Sequence, residues 1–242
     1  MARLFTWETA VVTFGGLAVV VALSLDEGAG GYTVLFGLAW LVAALPLSLL
    51  LQNALIPLYV QLGWHERALK LATLVREGAP NRKLRDVASI DVAMVQVAMG
   101  RFGDALRNLE NVHLSSFKRP VRALILANRA YCRAHLGRDL DRAGEEIAQA
   151  LELDPETGIL AYVDGLVRYK QGDPSGARER IELSLQQEPD PSLPVPGERP
   201  WILFQVLEAL GDPAAAEWLE RARREGGRGP FARAIAEARA TA

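Results

Sequence analysis

Few side chains in this sequence are of a type and spacing that could do chemistry. The three histidines are His65, His113 and His135, and the single cysteine is Cys132. Cys132 and His135 are three residues apart in a stretch with helical periodicity, so they share one face of a predicted helix. Two ligands do not make a zinc site, which needs three or four. We therefore predict that the chain binds no metal ion and no other cofactor.

Asp164 is the other candidate for catalysis. It lies in an apolar helical stretch, where a carboxylate is more often paired with arginine or partly solvated than used as a general acid. The sequence contains none of the patterns typical of nucleophile elbows, phosphate-binding loops, zinc proteases or dinucleotide-binding turns. These observations predict a protein that is not an enzyme.

Charge is distributed unevenly along the chain. Arg3 is the only basic residue among the first 52, and Glu8, Asp26 and Glu27 are the only acidic ones. Of the totals of 27 basic and 29 acidic side chains, the remaining chain therefore holds 26 of each. A neutral domain is not suited to holding a phosphate backbone, so we predict no nucleic-acid partner.

The N-terminal quarter, which is poor in charge, predicts two membrane spans. Residues 9–25 would form a helix of about 26 Å, and residues 32–51 are long enough to cross a hydrocarbon core of about 30 Å. A cleaved signal peptide is the alternative for the first segment, but no small-residue cleavage site follows it. We therefore predict a transmembrane helical hairpin over residues 1–52.

The charges that flank these segments predict their orientation. The connection, residues 26–31, is acidic and glycine-rich. The basic residues that follow the second segment are Arg67, Lys70, Arg76, Arg82, Lys83 and Arg85. Because positive charge remains on the cytoplasmic side, we expect both termini to be cytoplasmic and the protein to lie in the cytoplasmic (inner) membrane, with the lipid bilayer as one partner.

The sequence beyond these segments repeats itself. In "QGDPSGARERIELSLQQEP", Gly172 is followed by Ala177 and Pro189, and in "RAGEEIAQALELDP" the residues Ala143 and Pro155 stand 34 residues before those two. These motifs and this spacing resemble the tetratricopeptide repeat (TPR) family, whose unit is a helix pair with a period of 34 residues. The resemblance implies an all-α fold in which TPR-like helix pairs stack into an α-solenoid with a concave face.

Weaker copies extend the predicted array to about five units over residues 53–225. Their turn glycines are Gly63, Gly100, Gly137, Gly172 and Gly211, and their alanines are Ala68, Ala105, Ala143, Ala177 and Ala216. The glycine can enter the left-handed conformation that ends a helix, and the alanine lets paired helices approach. The solenoid domain is thus predicted to span residues 53–242. The apolar residues of its first helix, near residues 53–62, must serve either lipid or repeat packing.

Two further segments complete the predicted organisation. Residues 190–200 contain four prolines and are predicted to be a non-helical linker. After Gly226 and Gly227, the sequence "PFARAIAEARATA" predicts a short C-terminal helix that caps the array.

The candidate binding site is a row of apolar and aromatic residues on the first helix of each pair. Tyr131, Tyr162 and Tyr169 are the expected anchors, because tyrosine offers a large contact area for only two side-chain torsions. The other candidates in the row are Val87, Ile90, Met94 and Leu166. Some of these residues must belong to the core between repeats, since a frame error of one residue rotates a helix by about 100°.

Some family members hold the C-terminal carboxylate of a peptide with basic residues and asparagines on successive first helices. Asn128 falls at one such position, but the next repeat has Ile159 and Val163 where basic residues would be needed. An amphipathic helix or an apolar peptide segment is therefore the expected ligand. The alternative is that the chain's own tail, residues 231–242, fills the groove.

The resemblance implies a function in protein–protein interaction. We predict a membrane-anchored adaptor or scaffold whose cytoplasmic TPR domain binds partner protein segments, similar to bacterial inner-membrane TPR proteins with an N-terminal hairpin. Two alternatives stay open. The chain could be a peripheral-arm subunit of a larger membrane complex, or an enzyme or ligand sensor whose site the motifs do not reveal.

Overall fold

The computed structural model describes residues 55–187, 195–227 and 229–238. Both predicted membrane spans, residues 9–25 and 32–51, lie outside this part of the chain. Within the described residues, no helix is both long and apolar enough to cross a bilayer. All regular structure in the same residues is helical, which confirms the all-α prediction for them.

The chain divides into two compact units, residues 1–88 and 89–242. The described part of the first unit contains helical residues 55–61 and helix α1, His65–Gly78, and the boundary falls within helix α2, Arg82–Ala98. The second unit continues with α3 Phe102–Glu110, a short 3-10 helix Leu114–Ser116, α4 Arg119–Leu136, α5 Leu140–Leu153, α6 Gly158–Lys170, α7 Pro174–Gln187, α8 Glu198–Ala209, α9 Ala215–Glu225 and α10 Ala232–Glu237.

Each described helix of the first unit buries one face. Ile56 and Tyr59 are buried on the helical segment 55–61, whereas Leu58 on that segment and Leu62 directly after it are exposed. The buried residues of α1 are Ala68, Leu71, Ala72 and Val75. Buried positions three and four residues apart are the pattern of an amphipathic helix.

The helices of the second unit pack as consecutive pairs. Helix α4 packs against α5, α6 against α7, and α8 against α9, and each pair contacts the next. The first helices α4 and α6 also contact each other. A single pair cannot bury its apolar face, so the stack forms one shared apolar core. This is the pairing that the repeat predicted.

The five predicted turn glycines all have a left-handed backbone, with φ between 63° and 86°. Gly137 ends α4 in this way, and its N–H donates to the carbonyl oxygen of Ala134 over 3.2 Å. A side chain would strain such a backbone, because Cβ crowds the neighbouring carbonyl group. The expectation of a left-handed turn at each repeat is therefore confirmed.

The predicted repeat alanines are correct in four units and wrong in the fifth. Fully buried alanines stand at all four earlier positions, namely Ala68, Ala105, Ala143 and Ala177. In the fifth unit Ala216 is exposed, and its neighbour Ala215 takes the buried position. Ala215 follows its turn glycine by four residues, whereas the buried alanines of the other units follow theirs by five or six. One residue of offset rotates a helical position by about 100°.

The pair α6 and α7 shows why the first helix needs a small residue at its centre. A Cβ atom on Gly165 would lie 2.6 Å from Cγ1 of Ile181 and 3.0 Å from the carbonyl oxygen of Ala177. Both contacts are shorter than van der Waals packing allows, so the two helix backbones can approach this closely only around a glycine.

The proline-rich segment is helical at its end, which corrects the expectation of a non-helical linker through residue 200. Residues 190–194 lie outside the described part of the chain, but α8 begins at Glu198 and includes Pro200. Proline fits here because the first N–H groups of a helix have no intrahelical partner to lose. The predicted short C-terminal helix is confirmed as α10, Ala232–Glu237.

Two buried arginines of α4 connect it to the neighbouring helices. Arg133 donates to Glu110 on α3 over 2.6 Å and to Glu146 on α5 over 2.5 Å. Arg129 donates to the carbonyl oxygens of Leu109 and Val112 at the end of α3. Buried charges are tolerated when they are paired and hydrogen-bonded in this way. The network holds α3, α4 and α5 in one relative position.

Candidate functional site

The most distinctive group of side chains in the second unit surrounds the carboxylate of Glu198. The hydroxyl of Tyr162 donates to Oε1 over 2.7 Å, and the hydroxyl of Tyr131 donates to Oε2. Nε2 of His135 lies 2.8 Å from Oε1. Only 1% of Glu198 is exposed. A buried carboxylate needs such donors, and here α4 and α6 supply all three.

Glu198 reaches these donors because a tight turn precedes α8. Gly197 has φ of 72°, and a Cβ atom on it would lie 2.4 Å from Cα of Gly226. Only glycine permits this approach of two backbones and this backbone conformation together. The N–H of Trp201 donates to the carbonyl oxygen of Gly197 over 3.1 Å and starts the helix. The turn thus places Glu198 at the first position of α8, directed at α4 and α6.

Aromatic rings close the site on the side of His135. Phe102 stacks on the imidazole with ring centres 4.4 Å apart, and Phe231 lies 5.3 Å from the same ring. Tyr131 meets Phe102 edge to face at 5.9 Å. Such arrangements match the negative faces and positive edges of aromatic rings. Phe231 belongs to the C-terminal segment, so the tail of the chain covers part of the first-helix row.

Burial changes the acidity of the two tyrosines. Removal from solvent raises the pKa of Tyr131 and of Tyr162 well above the ordinary value, and the nearby carboxylate of Glu198 raises both further. Both groups stay protonated in the folded state and act as hydrogen-bond donors. Because their pKa values are raised on folding, their contribution to stability is fully present below about pH 10 and is lost as the pH rises further.

The structure places the predicted site residues in different environments. Tyr131, Tyr162 and Leu166 are buried, and Tyr169 is half-buried with Nζ of Lys170 5.5 Å from its ring centre. The remaining three lie on α2: Val87 is exposed in the first unit, and Ile90 and Met94 are half-buried in the second. Only Tyr131 and Tyr162 are brought to one point, at Glu198. Binding of a partner by these seven residues stays a prediction.

Part of the same row is open. Val121 and Leu124 on α4 are exposed large apolar residues. Leu124 precedes Tyr131 by seven residues, so the two lie on one helix face two turns apart. The row on α4 is therefore accessible near the N-terminus of the helix and covered near its C-terminus.

Several functional candidates from the sequence have structural roles. Asp164 is paired with Arg168 and Arg180, at 3.2 and 2.6 Å, which confirms the interpretation as an arginine-paired residue. Cys132 is fully buried. Among the described residues, no group of three or more histidine, cysteine or acidic side chains could hold a metal ion.

Sequence reasoning missed Glu198 and Phe102, whereas Phe231 belongs to the tail that the alternative placed over the row. Glu198 is 67 residues from Tyr131 along the chain, and no local pattern connects the two. The usable signal was the glutamate at the end of a proline-rich segment, directly before the apolar run "PWILF". An acidic residue next to such a run must find donors if the run is buried.

The buried thiol of Cys132 provides a test of the packing. Burial raises its pKa from 9.0 to about 12, with a smaller increase from Glu198 and Glu146, while Arg133 opposes the shift. We expect the native protein at pH 8 to react with a thiol reagent at least about 1,000 times more slowly than the unfolded chain, because only the thiolate attacks. Absorbance from Ellman's reagent measures this rate, since the chain has one cysteine.

The unfolded protein in guanidinium chloride is the control, and it should react completely with one equivalent. Fast reaction of the native state would contradict the packing around α4.

The raised pKa of the Cys132 thiol also affects the stability of the fold. The contribution of this thiol is fully present below pH 9.0 and is lost as the pH rises towards about 12.

Comparison with known proteins places this arrangement in a class. No family model matches the chain, and no curated protein matches it. Among solved structures, it is similar to TTC0263, a TPR protein of Thermus thermophilus, with 18% identity over 78% of this chain and 97% of that one, at a TM-score of 0.56. It is also similar to a tetratricopeptide repeat protein of Parabacteroides merdae, with 15% identity over 88% of this chain and 80% of that one, at a TM-score of 0.53. The chain therefore has the TPR fold.

Proposed function

We propose that this protein is a non-catalytic adaptor, in which a cytoplasmic TPR domain collects partner proteins at the inner face of a bacterial membrane. The TPR fold supports the interaction role, because stacked helix pairs present extended surfaces to other chains. The apolar segments 9–25 and 32–51 support the anchor, and the acidic connection between them supports cytoplasmic termini.

The observation that carries the proposal is that the row of apolar and aromatic residues on the first helices is covered at one end and exposed at the other. The face formed by α4 and α6 is covered at Tyr131 and Tyr162 by Glu198 at the start of α8, and near His135 by Phe231. Further along α4 the row continues to Val121 and Leu124, where it is exposed. The chain's own residues pack on one end of this apolar row, so a segment of a partner protein can pack in the same way on the exposed end.

The chemistry of the open end limits the class of partner. Val121 and Leu124 offer apolar contact, and Asn128 between them and Tyr131 donates its side-chain N–H to the carbonyl oxygen of Leu124 over 2.9 Å. Nothing in this group would hold a charged peptide terminus. The expected partner segment is therefore an amphipathic helix or an apolar strand whose apolar residues cover Val121 and Leu124.

Site-specific photo-crosslinking of the full chain in its native membrane tests this function. A photoreactive phenylalanine analogue at Leu124 should crosslink one recurring partner protein, because that side chain faces the open part of the row. The same analogue at Gln149, an exposed residue of the second helix α5, is the matched control. We expect no crosslink to this partner from the control position.

The proteins crosslinked from residue 124 are compared with those crosslinked from residue 149. A shared pattern of crosslinks at residues 124 and 149 would indicate non-specific proximity and would contradict the proposed binding face. The absence of any partner at Leu124, with efficient labelling of another defined protein from Gln149, would move the adaptor surface to the second helices.

A further inference from the structure

We propose that the exposed apolar residues of the first unit, Leu58, Leu62 and Trp64, lie in the headgroup region of the bilayer as an interfacial contact. They are 45%, 49% and 47% exposed. Large apolar side chains gathered within seven residues are unusual on a surface in contact only with water. The inference rests on the proposed membrane anchor, and it names the surface of the domain that the lipid contacts.

The helical segment 55–61 has two apolar sides with different environments. Ile56 and Tyr59 are buried within the first unit, whereas Leu58 and Leu62, four residues apart, share an adjacent side and are exposed. The apolar residues of this segment therefore divide between helix packing and lipid contact according to the side on which they lie. Ile56 and Tyr59 serve helix packing, and Leu58 and Leu62 are left for lipid.

The chain length requires this segment to stay near the bilayer. Leu58 stands seven positions after Leu51, the last residue of the second apolar segment, and a fully extended chain covers at most about 25 Å over that length. No charged residue occurs from Gly28 to Trp64, so no charge in this stretch opposes contact with lipid. If residues 32–51 span the membrane, Leu58 cannot lie far from the headgroups.

Trp64 and the residues after it have the chemistry of an interfacial anchor. The guanidinium carbon of Arg67 lies 5.0 Å from the centre of the Trp64 ring, and both side chains are exposed. An indole prefers the headgroup level, where its ring is in an apolar region and its N–H is wet. Arg67 and Lys70, exposed on the same side of α1, can approach anionic lipid phosphates.

Spin labels measure the depth of these positions. The full chain with Cys132→Ala carries a nitroxide at Leu58→Cys, at Leu62→Cys or, as the matched control, at Glu77→Cys, an exposed position of α1 in the same unit. The protein is reconstituted in vesicles of phosphatidylcholine and phosphatidylglycerol. Collision with oxygen, which enters hydrocarbon, is compared with collision with a polar nickel chelate, which does not.

We expect the nickel chelate to collide about fivefold less often with labels at residues 58 and 62 than with the label at residue 77, because a polar complex is excluded from the apolar region. Oxygen collision should be at least as frequent at 58 and 62 as at 77. Equal accessibility of all three labels to the chelate would overturn the inference. So would low collision rates with both reagents at 58 and 62, which would place another protein surface there.

Flotation of the same vesicles separates this inference from the anchor itself. Protein that floats with the vesicles but has water-exposed labels at residues 58 and 62 retains the anchor and loses the interfacial contact. Protein that does not float loses both. The labelled positions Leu58, Leu62 and Glu77 are exposed. The Cys132→Ala change at a buried position is common to all three variants, so it cannot produce a difference between them.

Discussion

Replacement of Glu198 by alanine is expected to lower the free energy of unfolding of the second unit by about 3 kcal/mol or more. The change leaves the hydroxyls of Tyr131 and Tyr162 and the imidazole of His135 without their shared acceptor in a buried site. Each unsatisfied buried donor costs about 1–3 kcal/mol, and partial hydration of the new cavity reduces the sum. Urea unfolding of the detergent-solubilised chain, followed by circular dichroism, measures the effect.

The matched control is Glu217→Ala on α9, where the glutamate is exposed. It should change the free energy of unfolding by no more than about 0.5 kcal/mol, as surface substitutions usually do. Glu198→Gln should fall between the two, since the amide keeps one acceptor oxygen but presents an N–H₂ group to the other donors. Equal stability of Glu198→Ala and Glu217→Ala would mean that Glu198 does not hold α8 to α4 and α6.

Replacement of Gly165 by alanine is expected to destabilise the second unit by about 2–3 kcal/mol, the size of overpacking in a core. The added methyl group would lie 2.6 Å from Cγ1 of Ile181 and 3.2 Å from its backbone nitrogen. Helices α6 and α7 must therefore separate. This cost exceeds the gain of up to about 1 kcal/mol that alanine usually brings to a helix.

Gly103→Ala in α3 is the control, because it makes the same chemical change without the contact. No atom lies within 4 Å of a Cβ at this position. Alanine should therefore leave the stability unchanged or raise it by up to about 1 kcal/mol. Thermal unfolding measures the Tm of both variants. Gly165→Ala should lower the Tm, and Gly103→Ala should leave it unchanged or raise it. A rise in Tm for Gly165→Ala would contradict the close approach of α6 and α7.

Features set by the local backbone were predictable from sequence. Gly137 and Gly172 could be assigned to left-handed turns because glycine alone adopts that conformation without strain, and the assignment needs no knowledge of distant residues. The same holds for the proline that follows Asp154 at the end of α5. Ala216 shows the limit, since in the fifth unit the buried alanine is Ala215, one residue closer to the turn glycine than the spacing of the other units predicts.

The candidate site was only partly predictable. Helical periodicity placed Tyr131 and Tyr162 on the first-helix row, and both lie there. Periodicity predicts only which residues of a helix share a face, however, so it does not predict which other parts of the chain pack on that face. Phe231 and Glu198 come from segments far along the chain, and their contacts with this row depend on how the last helix pair docks.

By itself, the sequence determined the helix pairs, their left-handed turns and the neutral charge of residues 53–242, because each follows from a residue's own conformational preference or charge. Only the tertiary structure decided that Tyr131 and Tyr162 are buried around Glu198 while Leu124 stays exposed on the same face of α4. A carboxylate adjacent to an apolar run must find donors or stay in water, and the sequence leaves both choices open. The docking of α8 on α6 and α7 decides between them, because it brings Glu198 to donors that lie 36 and 67 residues earlier in the chain.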